Sequence, residues 1–337
     1  LVQEAIKLEH ATIPPYLCAY FSLQPGTNQV VAETIRSVVV EEMLHMTVAS
    51  NLLSALDGTP AINAPGFVPD YPGGLPFGIG DHLQIHLEKC SIPQVQDVFM
   101  AIEEPEEPID IPTATPLSAM LGAAGMPHFE TIGAFYACLK HKIRELGPSI
   151  FTGDPAKQVT AARWFPDEAE LFPIRCVESA CAAIDVVVDQ GEGTSSDPFD
   201  AQGVPAHYYR FKEIVEGRKL VATAGQGGKT TYAFEGAPVV FDPIGVWNMD
   251  PDPQVGKYRE GSRSQRLADE FNYSYSMLLN ALHGAFDGAP ERLDHAMGVM
   301  YELRLLAQQV LATPADFADG SRNTDAVMTG LPFAYRL

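Results

Sequence analysis

Apolar positions recur at helical spacing along most of the chain. In residues 1–22, Val2, Ile6, Glu9, Ile13, Tyr16 and Tyr20 share one stripe, which predicts a helix. Pro14 and Pro15 fall inside it and predict a bend, because an interior proline removes a backbone donor. Gln24-Pro-Gly-Thr-Asn28 reads as a turn. A second helix is predicted over 29–56, where Ile35, Val38, Glu42, His45, Ala49, Leu52 and Leu56 alternate at spacings of three and four. Further helices are predicted at 92–103, 128–146, 167–190, 207–216, 264–286 and 290–312. Leu83–Glu88 alternates apolar with polar and reads as a strand. Thr231–Phe234 and Val239–Phe241 read as a hairpin around Glu235-Gly236. The segment 59–127 is rich in proline and glycine, and Glu103–Pro116 is an acidic loop within it. The implied architecture is mainly α: a four-helix bundle over 1–216 with a long insertion at 59–127, then a helical extension over 217–337 that carries the hairpin.

Two seams contain residues that do not belong in an apolar core. Glu42 and His45 sit at i and i+3 on the seam of the second helix, where a carboxylate oxygen and a ring nitrogen can meet one cation. A lone buried carboxylate costs several kcal/mol unless it is paired or coordinated. Glu9 lies on the apolar stripe of the first helix, so a second carboxylate points inward. A core histidine bonded to Glu42 explains the pair equally well from the motif alone, and Glu9 tips the reading towards metal. The other half of a dimetal site has three candidates. Glu130 lies off the main seam of the third helix, beside Gly133, Ala134 and Ala137. Glu192 stands in a glycine-flanked helix end, where an acid needs a compensating partner. His207 opens the helix after the following loop. Glu41 and His10 are expected to face solvent or to support the ligands.

The 337 residues are 46% hydrophobic and 19% charged, which excludes a disordered chain. Net charge is −21, which argues against nucleic acid and against a polybasic membrane surface. The five cysteines show no paired spacing, so a reduced, cytoplasmic protein is expected. No run of roughly 18 apolar residues occurs. The chain opens directly on a helical pattern with no signal-peptide character, although the missing Met leaves its true start open. Gly227-Gly-Lys-Thr230 lacks the first glycine of a phosphate loop and reads as a turn. His82 and His86 are expected on the solvated face of the strand, and His128 as a cap or loop residue.

Leu8-Glu-His-Ala-Thr-Ile-Pro-Pro-Tyr-Leu17, Glu41-Glu-Met-Leu-His45, Thr131-Ile-Gly-Ala-Phe-Tyr136, Asp189-Gln-Gly-Glu-Gly-Thr194 and His207-Tyr-Tyr-Arg-Phe211 together resemble one family. It is the ferritin-like domain of the iminophenylpyruvate dimer synthase type, related to part of the violacein and rebeccamycin pathway synthases. The resemblance covers about 1–216 and continues more loosely through Tyr232–Gly236 and Phe271–Tyr275. It implies a ferritin-like bundle with a non-haem metal centre, and Glu9, Glu42, His45, Glu192 and His207 as ligands. The family pattern carries a polar residue, often Glu, where Ala134 stands, and Glu130 is the candidate replacement.

Taken together, the expectation is a non-haem iron oxidoreductase with one or two ions, iron or manganese. Glu9, Glu42 and His45 would hold the first position, and Glu130, Glu192 and His207 a second, weaker one. Tyr16, Tyr136 and Tyr209 would form a nearby redox or hydrogen-bonding shell. Partners would be dioxygen or peroxide and a small, aromatic or imino-acid metabolite, with homo-oligomers allowed. Two other readings stay open: a metal-storage protein of the ferritin kind, and a structural module whose metal site has decayed.

Overall fold

The structure is a computed structural model that describes all residues except 81–82, 106–128, 161–163, 166–169, 194–196, 201, 225–229, 322–326 and 337. It is mainly helical. Helices α1 (Val2–Ser22) and α2 (Gln29–Ala55) pack along each other. Two short helices, α3 (Ile92–Gln94) and α4 (Met100–Ile102), flank a π turn at Val95–Phe99. Helix α5 (Ile132–Leu146) packs on α6 (Val177–Gly191), and α6 also meets α2. Helix α7 (His207–Glu216) closes the group against α2, α4 and the π turn.

A two-stranded antiparallel sheet, β1 (Val221–Ala224) and β2 (Thr230–Ala233), follows with Val221 opposite Ala233. Helices α8 (Arg263–Phe286) and α9 (Leu293–Leu311) pack together, with α8 touching α2 and α9 touching α1. The tail returns to α8: the backbone N–H groups of Ala334 and Arg336 donate to Asn272 Oδ1 and Ser276 Oγ. No described helix is long and apolar enough to cross a membrane. All five cysteines are free thiols.

Several expected elements move. The hairpin lies earlier than its alternation suggested, so Thr231–Ala233 forms the second strand rather than the first. Its connecting residues, with the glycines of Gly227-Gly228, lie outside the described residues. The expected strand at Leu83–Glu88 reduces to an isolated bridge between Ile85 and Gly73, and His82 is outside the description. Helix α5 starts at Ile132, because Thr131 caps it by accepting the Ala134 N–H. His128 lies outside the described residues. Helix α6 starts at Val177, past Pro173, with Ser179 and Cys176 forming a capping box.

Helix α1 remains one helix through Pro14 and Pro15. Each proline deprives the carbonyl four residues earlier of its donor. For Ala11 the replacement is external: the Tyr71 hydroxyl donates to its carbonyl at 2.8 Å. A residue of the proline-rich insertion thereby repairs the helix that carries Glu9. Tyr71→Phe should leave that carbonyl unsatisfied and lower stability by about 1–3 kcal/mol. Urea unfolding checks this, and an unchanged midpoint would show that the bond is not needed.

Candidate metal centre

Three carboxylates and two imidazoles meet inside the bundle. Among the described residues, two groups have ligand atoms close enough to share a cation: Glu9, Glu42 and His45, and Glu42, Glu103 and His207. All five side chains are buried. Glu42 belongs to both groups, so its carboxylate stands where a bridge between two positions would stand. His45 Nδ1 lies 3.5 Å from Glu9 Oε2 and 3.7 Å from Glu42 Oε1. His207 Nδ1 lies 2.9 Å from Glu42 Oε1 and 3.5 Å from Glu103 Oε2. The two rings stack at 5.4 Å between centroids.

Each candidate ligand has a partner behind it. The Tyr136 hydroxyl donates to Glu9 Oε1, and the Tyr16 hydroxyl donates to Glu103 Oε1 at 2.5 Å. Thr12 donates to Glu42 Oε2 at 2.8 Å. His45 Nε2 donates to Gln190 Oε1 at 2.9 Å, and His207 Nε2 donates to Glu41 Oε2 at 3.0 Å. Arg210 grips both oxygens of Glu41. Carboxylate or carbonyl acceptors on the outer nitrogen fix the tautomer and leave Nδ1 facing inward, as metal-ligating histidines require.

The electrostatics follow from crowding. Burial, with Glu103 next in effect, pushes the Glu42 carboxyl up to about 7. Burial disfavours the charged form of His207, but the charge of Glu103 and then the close approach of Glu103, Glu41 and Glu42 outweigh it and hold the pKa well above the usual range. His45 is raised for similar reasons: burial opposes, and Glu9 and Glu42 prevail. Burial followed by Glu103 holds Tyr16 as a neutral phenol, and burial followed by Glu9 does the same for Tyr136. Burial would raise Glu41, yet its bonds to His207 and Arg210 bring it down to about 2.

The sequence expectations divide clearly in placement. Glu9, Glu42, His45 and His207 converge. Glu130 does not: α5 begins after it, and its side chain is left exposed in the preceding bend. Glu192 is buried but lies outside both groups. Its carboxylate accepts the Gly133 N–H at 2.5 Å, so the acid at the end of α6 finds its partner in the positive N-terminus of α5. Tyr209 is buried in α7, edge-on to Tyr208. His10 turns away from the cluster to Tyr275, 2.5 Å from its hydroxyl.

The residue that sequence reasoning missed is Glu103. It sits at the C-cap of α4 and was read as the start of the acidic loop. Its signal was present: Val95, Phe99 and Glu103 are spaced four apart and all buried, so the acid continues an apolar seam.

The Ferritin-like family matches residues 2–216, and the chain belongs to it. A crystal structure of a ferritin-like protein from Caulobacter vibrioides aligns over 99% of this chain and 96% of that one, with a TM-score of 0.61 and 21% identity. At that identity the likeness bears on fold alone. No curated protein matches the chain.

The packing of Glu192 on Gly133 is open to test. A Cβ at Gly133 would fall within 3 Å of the Glu192 carboxylate. Gly133→Ala should push that carboxylate off the α5 N-terminus and destabilise the chain by about 1–3 kcal/mol. Thermal unfolding measures the loss. A stability equal to that of the parent would show that Glu192 is not held there.

Proposed function

We propose that this chain is a carboxylate-bridged dimetal oxidoreductase that uses iron, with manganese as the alternative, and acts on a small metabolite. The observation that carries the reading is His207 Nδ1. It is fully buried and makes no well-aligned hydrogen bond, yet Glu42 Oε1 and Glu103 Oε2 lie within 3.5 Å of it. Its other nitrogen is already committed to Glu41. A lone pair facing two carboxylates is repulsive, so the arrangement calls for a positive charge between them, either a proton or a metal ion. The donor set favours a metal. Two such groups share Glu42, and oxygen with imidazole nitrogen suits iron or manganese.

Glu9 and His45 would hold one ion, Glu103 and His207 the other, with Glu42 between. Iron there would supply redox chemistry and open coordination positions for dioxygen or peroxide. The protein's own contribution is orientation and proton control. Thr12 fixes the rotation of Glu42. Tyr136 and Tyr16 keep Glu9 and Glu103 turned inward, and their neutral hydroxyls place a proton beside each position. These two tyrosines are the residues to examine for proton or electron transfer. An aromatic or imino-acid substrate rests on the family resemblance alone.

His45→Ala, Glu42→Ala and Glu103→Ala should each lower metal content after anaerobic iron loading, and Glu130→Ala should not. Metal analysis by plasma emission reads the stoichiometry. Unchanged content in the first three variants would place any metal elsewhere. Mixing the iron-loaded chain with dioxygen in a stopped-flow instrument should give a transient visible absorbance. An inert spectrum with metal present would rule out oxygen activation.

A further inference from the structure

The two halves of the cluster repeat one plan, a carboxylate held by a tyrosine and a histidine held from behind, with one difference. The acceptor behind His45 is the neutral Gln190, and the acceptor behind His207 is the carboxylate of Glu41. Glu41 is held as an anion by the forked contact of Arg210, whose guanidinium is itself anchored to the Pro205 carbonyl and Ser37. A carboxylate behind an imidazole pushes electron density onto the inward nitrogen and makes it a stronger donor than an amide does. Among the described residues no cation bonds to Gln190, and its carboxamide adds no charge.

We infer that Glu41 and Gln190 rank the two metal positions, so that the His207 position fills first and the His45 position second. This rests on the dimetal reading above. It reverses the order suggested by sequence, which took His207 as a loosely held ligand beyond a loop. In the fold His207 is in the first turn of α7, with 0% exposure, and both its nitrogens face carboxylates. Glu41 and Gln190 are positioning residues that act through the two imidazoles.

Anaerobic titration of the metal-free full chain with cobalt(II), followed by visible absorption, tests the ranking. The parent should bind in two resolved steps. His207→Ala should remove the tighter step and His45→Ala the weaker. Glu41→Gln should weaken the tighter step by roughly ten- to a hundredfold, the usual effect of losing such a partner. Gln190→Glu should tighten the weaker step, a gain that general structural damage cannot produce. If Glu41→Gln does not fold, Gln190→Glu still decides the matter. Loss of the tighter step in His45→Ala, equal steps in the parent, or a Gln190→Glu titration identical to the parent's would each overturn the inference. In those cases cobalt still binds and the dimetal reading stands. Failure of the parent to bind cobalt at all would overturn both.

Discussion

Five ionisable side chains share one buried cluster, and much of the bundle is arranged to make that tolerable. Removing a charge from water costs several kcal/mol even after the protein relaxes around it. Glu9, Glu42, Glu103, His45 and His207 therefore all need partners. Those partners come from across the bundle: Thr12 and Tyr16 from α1, Glu41 from α2, Tyr136 from α5 and Gln190 from α6. Helix packing and site geometry are thus one constraint. Shifting α5 or α6 along its axis would break the bond of Tyr136 to Glu9 or of Gln190 to His45.

The supports extend one layer further out, into segments that look like decoration in the sequence. The proline-rich insertion sends Tyr71 to the α1 carbonyl that Pro15 strands, and its following helix delivers Glu103. The end of α6 sends Glu192 to the start of α5, which positions the helix that carries Tyr136. The C-terminal helices lie against α1 and α2, with Tyr275 on His10 beside Glu9.

Much of this was legible in the chain, and the limits have physical causes. The phasing of α1 and α2 located Glu9, Glu42 and His45, because long amphipathic helices state which face is buried. The start of α7 at His207 was also readable. Glu103 was missed because a π turn shifts the register just before it, and because an acidic loop masks a single inward acid. Glu130 was misplaced by extending α5 too far back, where Thr131 supplies the cap. Glu192 shows a different limit. The sequence signalled that this acid needed a compensating partner, but only the fold reveals that a helix N-terminus is within its reach. The outer acceptors Glu41 and Gln190 carry no periodic signal that distinguishes them from ordinary buried polar residues.

The charge around His207 gives the cluster its direction. A helix N-terminus carries partial positive charge and disfavours a cation beside it, by about 0.3–1 kcal/mol at an exposed site. His207 is at such a terminus, yet Glu41, Glu42 and Glu103 all approach its ring. Against these three carboxylates stands one guanidinium, that of Arg210, which leaves two negative charges when all three are ionised. A doubly protonated imidazole cancels one of them, and protonation of Glu42, whose pKa is pushed up to about 7, cancels the other. A divalent cation cancels both at once and frees His207 Nδ1 to act as a donor. The protonated cluster and the metal-loaded one are therefore alternative answers to the same excess charge. Either answer places Nδ1 of both imidazoles against the carboxylates, with Glu42 between them.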